Sequence, residues 1–532
     1  MSVLSIKSSG ATILAAAFFF TMAYNVAFFR NVYATYPGIH NIPFLISLGI
    51  LLVTAIALIL GFIINKYTLK PVLIILFPLA ATASYFMNSY NVIIDSAMLQ
   101  NSVMTDSREV FDLLSPRMIA YLVLLGLLPA FVISRLKVDC QSPAREIAGR
   151  IKLIAVLCLI FFANLFLMAD QYTSFFREHK DLRFYTNPLT LIYSSSRYIS
   201  DFVKDAELGP RTPIGEDAVI ARSDTTRKLI FLVVGEATRA DHWAMNGYQR
   251  DTNALVRSHN VINLPNVSSC ATSTAFSVPC MFSLYAFDDF SLRKARAQEN
   301  VLDVLAKTGV NVLWRDNNSD SKGVADALAF EDFRSPETNA VCDLECRDIG
   351  MLGGLEDYIN QHQEGDIVIV FHQMGNHGPA YYKRYPKEFE YYMPVCESNQ
   401  LEQCTREEIV NAYDNALHYS DYFLANAITF LKPFQREFST AMFYMADHGE
   451  SLGELGLYLH GLPYAIAPDA QTQVASMMWL GDAFSDQQRA QVNLKAQETL
   501  SHDNFFHTLL GMLDVQTELY EPNLDILAEI DW

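Results

Sequence analysis

The sequence predicts a multi-pass α-helical membrane domain followed by an α/β domain with a largely parallel sheet on the far side of the bilayer. Three observations predict it. First, 51% of the 532 residues are hydrophobic and the excess sits in the N-terminal third, so the chain is too apolar for a purely soluble protein and too long for one ordinary domain. Second, short apolar runs alternate with helix-like stretches after residue 226. Third, the cysteines beyond residue 171 fall into three close pairs.

Five stretches, at 11–29, 42–64, 69–87, 117–135 and 152–170, approach the ~20 residues a helix needs to cross hydrocarbon. Buried core helices would show a charged face at helical spacing, and IPFLISLGILLVTAIALILGFII carries no charge. A cleaved signal peptide accounts poorly for the first stretch, because a second follows almost at once. Pro71 and Pro78 in 69–87 are tolerated in lipid-embedded helices. Loop charges orient the set. Lys66 and Lys70 mark one connection, and Arg135, Lys137, Arg145, Arg150 and Lys152 another. The 88–116 loop instead sets Arg108 against Asp95, Asp106, Glu109 and Asp112. The basic loops belong in the cytoplasm, and five crossings leave everything after about 171 in what is, for a bacterium, the periplasm.

The expected division is therefore a membrane domain at 1–170, an interfacial bridging segment at 171–226 and a catalytic domain at 227–532. Residues 171–205 mix aromatic and charged residues, which suits either amphipathic helices at the interface or a solvated linker. Residues 206–226, with Pro210 and Pro213, read as a tether. Cys140 in a cytoplasmic loop and Cys158 in a membrane helix are expected to stay reduced. Cys270/Cys280, Cys342/Cys346 and Cys396/Cys404 read as disulfides of an oxidising compartment. Zinc binding is the rival for these thiols. Only Cys342/Cys346 has a plausible ligand spacing, in the acidic setting CDLECRD.

KLIFLVVGE, NVLWRD, DIVIVFHQ and TAMFYMADHGE are apolar runs that end in polar groups. Such runs form parallel strands covered on both faces, with working groups at their carboxyl ends. Glu236, Asp447 and His448 lie at such ends, and two carboxylates with an imidazole suit a zinc site that keeps a fourth position open. Thr274, within CATSTAFSVPC, could fill that position. Coordination would lower its hydroxyl pKa and make it a nucleophile. The blander readings are a solvated strand-end carboxylate and an Asp-His-Gly turn.

Together, VVGEATRADHWAMNGYQRDTN, CATSTAFSVPC, RDNNSDSKGV, HQMGNHGP and ADHGESLGE with YLHG resemble the phosphoethanolamine transferases of Gram-negative inner membranes. The likeness is strongest to those that modify lipid A and confer polymyxin resistance. It runs nearly the whole chain and implies a periplasmic domain of alkaline phosphatase/sulfatase-like fold. It also implies that Glu236, Thr274, Asp447 and His448 bind a catalytic zinc, and that Thr274 carries phosphoethanolamine as a covalent intermediate. Asn318, Ser319, Lys322, His377 and His460 match positions that hold the phosphoethanolamine or a second zinc. Lys322 is a point charge for a phosphate oxygen, and His377 or His460 could protonate the departing glycerol oxygen. Asp288 and Asp289 are weaker candidates for a second metal, since such a pair is more often a helix cap. The implied donor is phosphatidylethanolamine, the implied acceptor lipid A, and the chain is expected to act as a monomer. Cys342 and Cys346 are closer together than in some relatives.

A net charge of −19 without a basic stripe argues against nucleic acid as a partner and against long-range steering of anionic substrates. A sulfatase would need arginine where Ser277-Val278-Pro279-Cys280-Met281 ends in methionine. A transferase acting on core sugar or periplasmic glucan would keep every motif. A sensor or scaffold would have lost ligands, yet all four proposed zinc positions hold plausible ones.

Overall fold

The computed structural model describes residues 5–6, 9–105, 107–138, 142–221 and 226–528, so Cys140 and Asp106 lie outside the described residues. The chain forms two compact units. One comprises Met1–Leu99 and Leu114–Asp201, the other Gln100–Leu113 and Phe202–Trp532. The segment 100–113, expected with the membrane helices, thus packs with the second unit. Charge explains this: Asp112 pairs with Lys383 and, at 2.9 Å, with the buried Arg384.

In the first unit, α1 (Ser9–Tyr24) and α2 (Val26–Thr35) are bent by 59°. They are followed by α3 (Ile42–Ile63), α4 (Leu69–Ser89), α5 (Pro116–Arg135) and α6 (Pro143–Leu167). Among the described residues four helices are long and apolar enough to cross a membrane, or five if the bent pair is one span. The first predicted span is therefore broken rather than straight. Asn25 sits at the break, donating to Phe20 O at 2.9 Å and Asn187 O at 2.6 Å and accepting from Asn187 N–H at 2.8 Å. Those bonds satisfy backbone groups that lipid could not. α5 contains a π-helical stretch, Leu122–Leu127, lying against α4 at Pro78; a Cβ on Gly126 would come within 2.9 Å of Pro78 Cα.

Residues 171–205 are largely helical, in α7 (Ala169–Glu178) and α8 (Leu189–Asp205). α7 buries Tyr172 and Phe175, and the Tyr172 hydroxyl lies 2.7 Å from Ser47 Oγ. The tether is fastened to the second unit: Ile214 is buried, and Val219–Ile220 pairs antiparallel with Val515–Gln516.

The second unit is built on a seven-stranded sheet. In chain order the strands are β1 (Arg227–Gly235), β2 (Ile262–Asn263), β3 (Asn311–Asp316), β4 (Ala329–Asp332), β5 (Ile367–His372), β6 (Phe438–Ala446) and β7 (Ser476–Leu480). Their spatial order is β2-β7-β6-β1-β5-β3-β4, with β6, β1, β5, β3 and β4 mutually parallel. β5 and β6 are buried along their whole length, as expected for strands covered on both faces. Gly235 pairs with Ala446, so the next residues, Glu236 and Asp447, emerge side by side. Asp316 pairs with His372 at the same edge.

The three expected cysteine pairs are joined as disulfides: Cys270 to Cys280, Cys342 to Cys346 and Cys396 to Cys404. The first brackets the start of α9 (Thr274–Met281). The third closes the loop that leads into α10 (Arg406–Leu431), where Cys404 N–H donates to Leu401 O at 3.1 Å and Thr405 caps the helix. Sulfurs bonded to one another offer no thiolate, so zinc is not their partner here.

Candidate active site

Beyond β1 the backbone turns sharply. Ala237 has φ 52°, its N–H donates to Asp447 Oδ1 at 3.1 Å, and its carbonyl accepts from the Tyr413 hydroxyl at 2.7 Å. A non-glycine residue in the left-handed region is strained and persists only where its surroundings hold it. Gly375, at φ 48°, lies over Glu236; a Cβ there would meet Glu236 O at 3.0 Å. Glu236 is thereby fully buried.

Thr274 opens α9, and its Oγ1 donates to Glu236 Oε2 at 3.0 Å while standing 3.2 Å from His448 Nε2. His448 Nδ1 faces Gly449 O at 2.8 Å. A carbonyl only accepts, so Nδ1 carries the proton. Burial holds this imidazole below its ordinary pKa, leaving it neutral with the Nε2 lone pair turned toward the carboxylates. Nε2 is 3.5 Å from both Glu236 Oε1 and Asp447 Oδ2. Asp447 Oδ1 accepts two backbone N–H groups, but its buried Oδ2 accepts no hydrogen bond among the described residues.

The side chains of Glu236, Asp447 and His448 thus bring two carboxylates and an imidazole lone pair together, and Thr274 supplies one hydroxyl proton. In a desolvated setting that excess of acceptors is unfavourable. It becomes favourable around a cation, and the donor set, with a carbonyl fixing the histidine tautomer, fits a divalent ion. Ligand atoms of Glu236, His448 and His460 also lie within 4.8 Å of one another.

His460, expected to act on the substrate or a second metal, stands beside this group, its ring 4.2 Å from that of His448. Its Nδ1 faces Glu450 Oε2 at 2.8 Å, and the Tyr381 hydroxyl donates to Glu450 Oε1 at 2.7 Å. His377 lies 5.8 Å from His460, ring to ring. Its burial and then the charges of Arg384, His460, His448 and Lys322 push its imidazole well below the ordinary value. The Asn318 amide donates to Glu236 Oε2 and to Gln373 O, both at 2.8 Å, and so orients the carboxylate. Lys322, at φ 55°, donates to Ser319 O at 2.6 Å and Met104 O at 3.3 Å. Those bonds tie Lys322 and Ser319 to each other rather than to the carboxylates, and the Lys322 charge reaches His377 through its field.

Asp288 and Asp289 do not cap the helix that follows them. Both are exposed, neither belongs to the metal-binding group among the described residues, and Ser291 caps the following helix. The six cysteines named with the site also divide. Cys270 and Cys280 frame Thr274. Cys342, Cys346, Cys396 and Cys404 lie outside the metal-binding group among the described residues. Cys404 is half-buried, bonded to the buried Cys396 as expected, and engaged with its own loop at Leu401. The covalent link makes Cys404 a staple ahead of α10.

Sequence reasoning missed three supporting groups. Glu450 stood within ADHGESLGE, two residues past His448, and its charge was the signal available. The buried Asp316–His372 pair, 2.8 Å apart, sits at the ends of β3 and β5. His502 accepts from Cys270 N–H at 3.2 Å and stands 2.9 Å from Ala446 O, linking the loop ahead of Thr274 to the strand before Asp447. Nothing local marked His502.

Comparison with known proteins decides the family. The sequence profile described as Sulfatase matches residues 228–515, and that of Phosphoethanolamine transferase EptA/EptB matches 52–202. Phosphatidylethanolamine transferase Mcr-1 of Escherichia coli is 42% identical over 515 residues, 94% of each chain. Phosphoethanolamine transferase EptA of Escherichia coli (strain K12) is 38% identical over 530 residues, 97% of this chain and 96% of that one. The chain belongs to the phosphoethanolamine transferase family. Among solved structures, the integral membrane protein lipooligosaccharide phosphoethanolamine transferase A (EptA) from Neisseria meningitidis matches at TM-score 0.93 and 33% identity over 99% of both chains. This transferase is accordingly a membrane enzyme with a periplasmic domain of alkaline phosphatase/sulfatase-like fold.

Proposed function

We propose that the enzyme moves phosphoethanolamine from phosphatidylethanolamine to a phosphate of lipid A through a phosphothreonine on Thr274, lowering outer-membrane negative charge and conferring polymyxin resistance. The observation that carries this reading is the convergence of Thr274 Oγ1 with Glu236 and His448.

In the first displacement Thr274 Oγ1 attacks phosphorus, passing its proton toward Glu236 Oε2, which already accepts that hydrogen bond. The bond from phosphorus to the glycerol oxygen breaks and diacylglycerol leaves. His460, oriented through its Nδ1 by Glu450, is the proton donor to that oxygen. His377, kept neutral by burial and nearby cations, suits an accepting role. In the second displacement a lipid A phosphate oxygen attacks the same phosphorus and Thr274 Oγ1 departs. No side chain caps the N-terminus of α9, so its dipole and first-turn N–H groups favour the phosphoryl oxygens. A zinc ion, for which Glu236, Thr274, Asp447 and His448 supply donors, would lower the hydroxyl pKa and offset phosphoryl charge. The membrane anchor suits a two-chain donor, since drawing acyl chains into water costs about 0.8 kcal/mol per CH₂.

The test is mass spectrometry of lipid A from a polymyxin-susceptible Gram-negative strain carrying the wild type or Thr274→Ala. Wild type is expected to add phosphoethanolamine and to carry the same increment on its Thr274 peptide; the variant, normally expressed, does neither. Unchanged lipid A modification in the variant would overturn the nucleophile. An increment on core sugar or glucan instead would replace the acceptor.

A further inference from the structure

α1 and α6 meet at the end of the membrane unit that the loop charges place in the cytoplasm, where a Cβ on Gly10 would come within 3.2 Å of Leu153. A cavity of about 410 Å³ opens there. Its polar end is lined by Arg145, Arg150 and Lys152, its apolar end by Leu14, Leu153 and Val156. Glu146 also lines it, but accepts a hydrogen bond from the Ser9 hydroxyl. Three cations therefore face one engaged carboxylate. Arg150 Nη2 is buried without a hydrogen-bond partner among the described residues, an arrangement that costs free energy until an acceptor arrives. Leu14 also lines the neighbouring apolar groove, with Leu157 and Ile160. The walls thus pass from cationic to hydrocarbon within one continuous surface.

We propose that this cavity binds an anionic phospholipid of the cytoplasmic leaflet, with its phosphodiester on Arg145, Arg150 and Lys152 and an acyl chain along Leu14, Leu153 and Val156. Basic pockets between membrane helices on this side of a bilayer suit such headgroups. Guanidinium groups match phosphate oxygens in pairs. A free phosphate would satisfy the cations but leave the apolar wall unused, and a zwitterionic lipid would bring its own ammonium against them.

The test uses the full-length protein in nanodiscs of phosphatidylethanolamine with or without phosphatidylglycerol, read by native mass spectrometry after extraction. Wild type is expected to retain phosphatidylglycerol, in excess inorganic phosphate as well. The triple variant Arg145→Gln/Arg150→Gln/Lys152→Gln should retain it about a hundredfold less, from the contribution of three basic residues at a charged surface. Val156→Trp fills the apolar end, keeps every charge and should also lose the lipid; it decides the matter if the triple variant fails to fold. Equal retention by wild type and variants, no preference for phosphatidylglycerol, or displacement by inorganic phosphate alone would each overturn the site.

Discussion

In the membrane unit Phe62, Phe162 and Phe166 face outward, while Asn25, Ser47 and Asn164 turn inward, each to a hydrogen-bond partner. In the second unit the sheet is apolar, and the polar groups crowd beyond its strand ends. There Glu236, Asp447 and His448 are wholly buried with too few donors among them. Both regions bury polar atoms, but the balance differs. Closed pairs, as between Asn25 and Asn187, hold architecture. An excess of acceptors around one threonine is unstable by itself and suits a bound cation.

The largest effect expected from this contrast is at Asp447. Asp447→Asn keeps the Oδ1 acceptor for two backbone N–H groups but removes the charge of Oδ2. Transfer should fall about a thousandfold. With metal chelated, thermal unfolding of the variant should come at a higher temperature than wild type, because one of two facing carboxylates is gone. A lower temperature in chelator would mean that the wild-type cluster is already balanced.

Next comes His502, whose burial pushes its pKa from 6.5 to about 4. The folded protein holds it neutral while the unfolded chain protonates near 6.5. Its contribution is therefore complete above that pH and is lost as pH falls toward 4, by about 3 kcal/mol in all. Denaturation of wild type across that window should show the loss. His502→Gln should flatten it and cost about 1–3 kcal/mol at neutral pH through the lost bridge. A parallel pH curve in the variant would assign the acid sensitivity elsewhere.

Glu450→Gln preserves an acceptor for the Tyr381 hydroxyl but removes the charge behind His460. A fall in kcat of about 10–100-fold with KM little changed is expected from steady-state transfer assays. A change confined to KM would make His460 a substrate contact only. The smallest effect belongs to the closed pairs: Ser47→Ala, which removes contacts to Asn164 and Tyr172, should cost about 0.6 kcal/mol and leave transfer unaltered. Unfolding in mild detergent measures it.

Particular elements show where local sequence suffices. α3 was legible because an uncharged run of its length has no other stable home. The ends of β1 and β6 were legible because apolar runs stop abruptly at Glu236 and Asp447. The disulfides, Cys396 to Cys404 among them, were legible because each pair is close in sequence, within 10 residues. The break at Asn25 was not, since its partner Asn187 lies 162 residues away. Asp288 and Asp289 read as a weak metal candidate or a helix cap, and the fold exposes both and gives the cap to Ser291. Arg384, an ordinary loop cation in the sequence, is buried and donates to His377 O at 2.6 Å while pairing with Asp112.

Residue type and short-range period by themselves determined where apolar helices form, their orientation, and the strand ends that carry Glu236, Asp447 and His448. Those properties depend on transfer free energy and backbone geometry over a few residues. Tertiary structure alone decided that β6 lies beside β1, so that Asp447 N–H meets Gly235 O at 2.9 Å. It also decided that Thr274 meets Glu236 from 38 residues away and His448 from 174. Such meetings follow from the path of the crossovers and the packing of helices on the sheet, which no local period encodes.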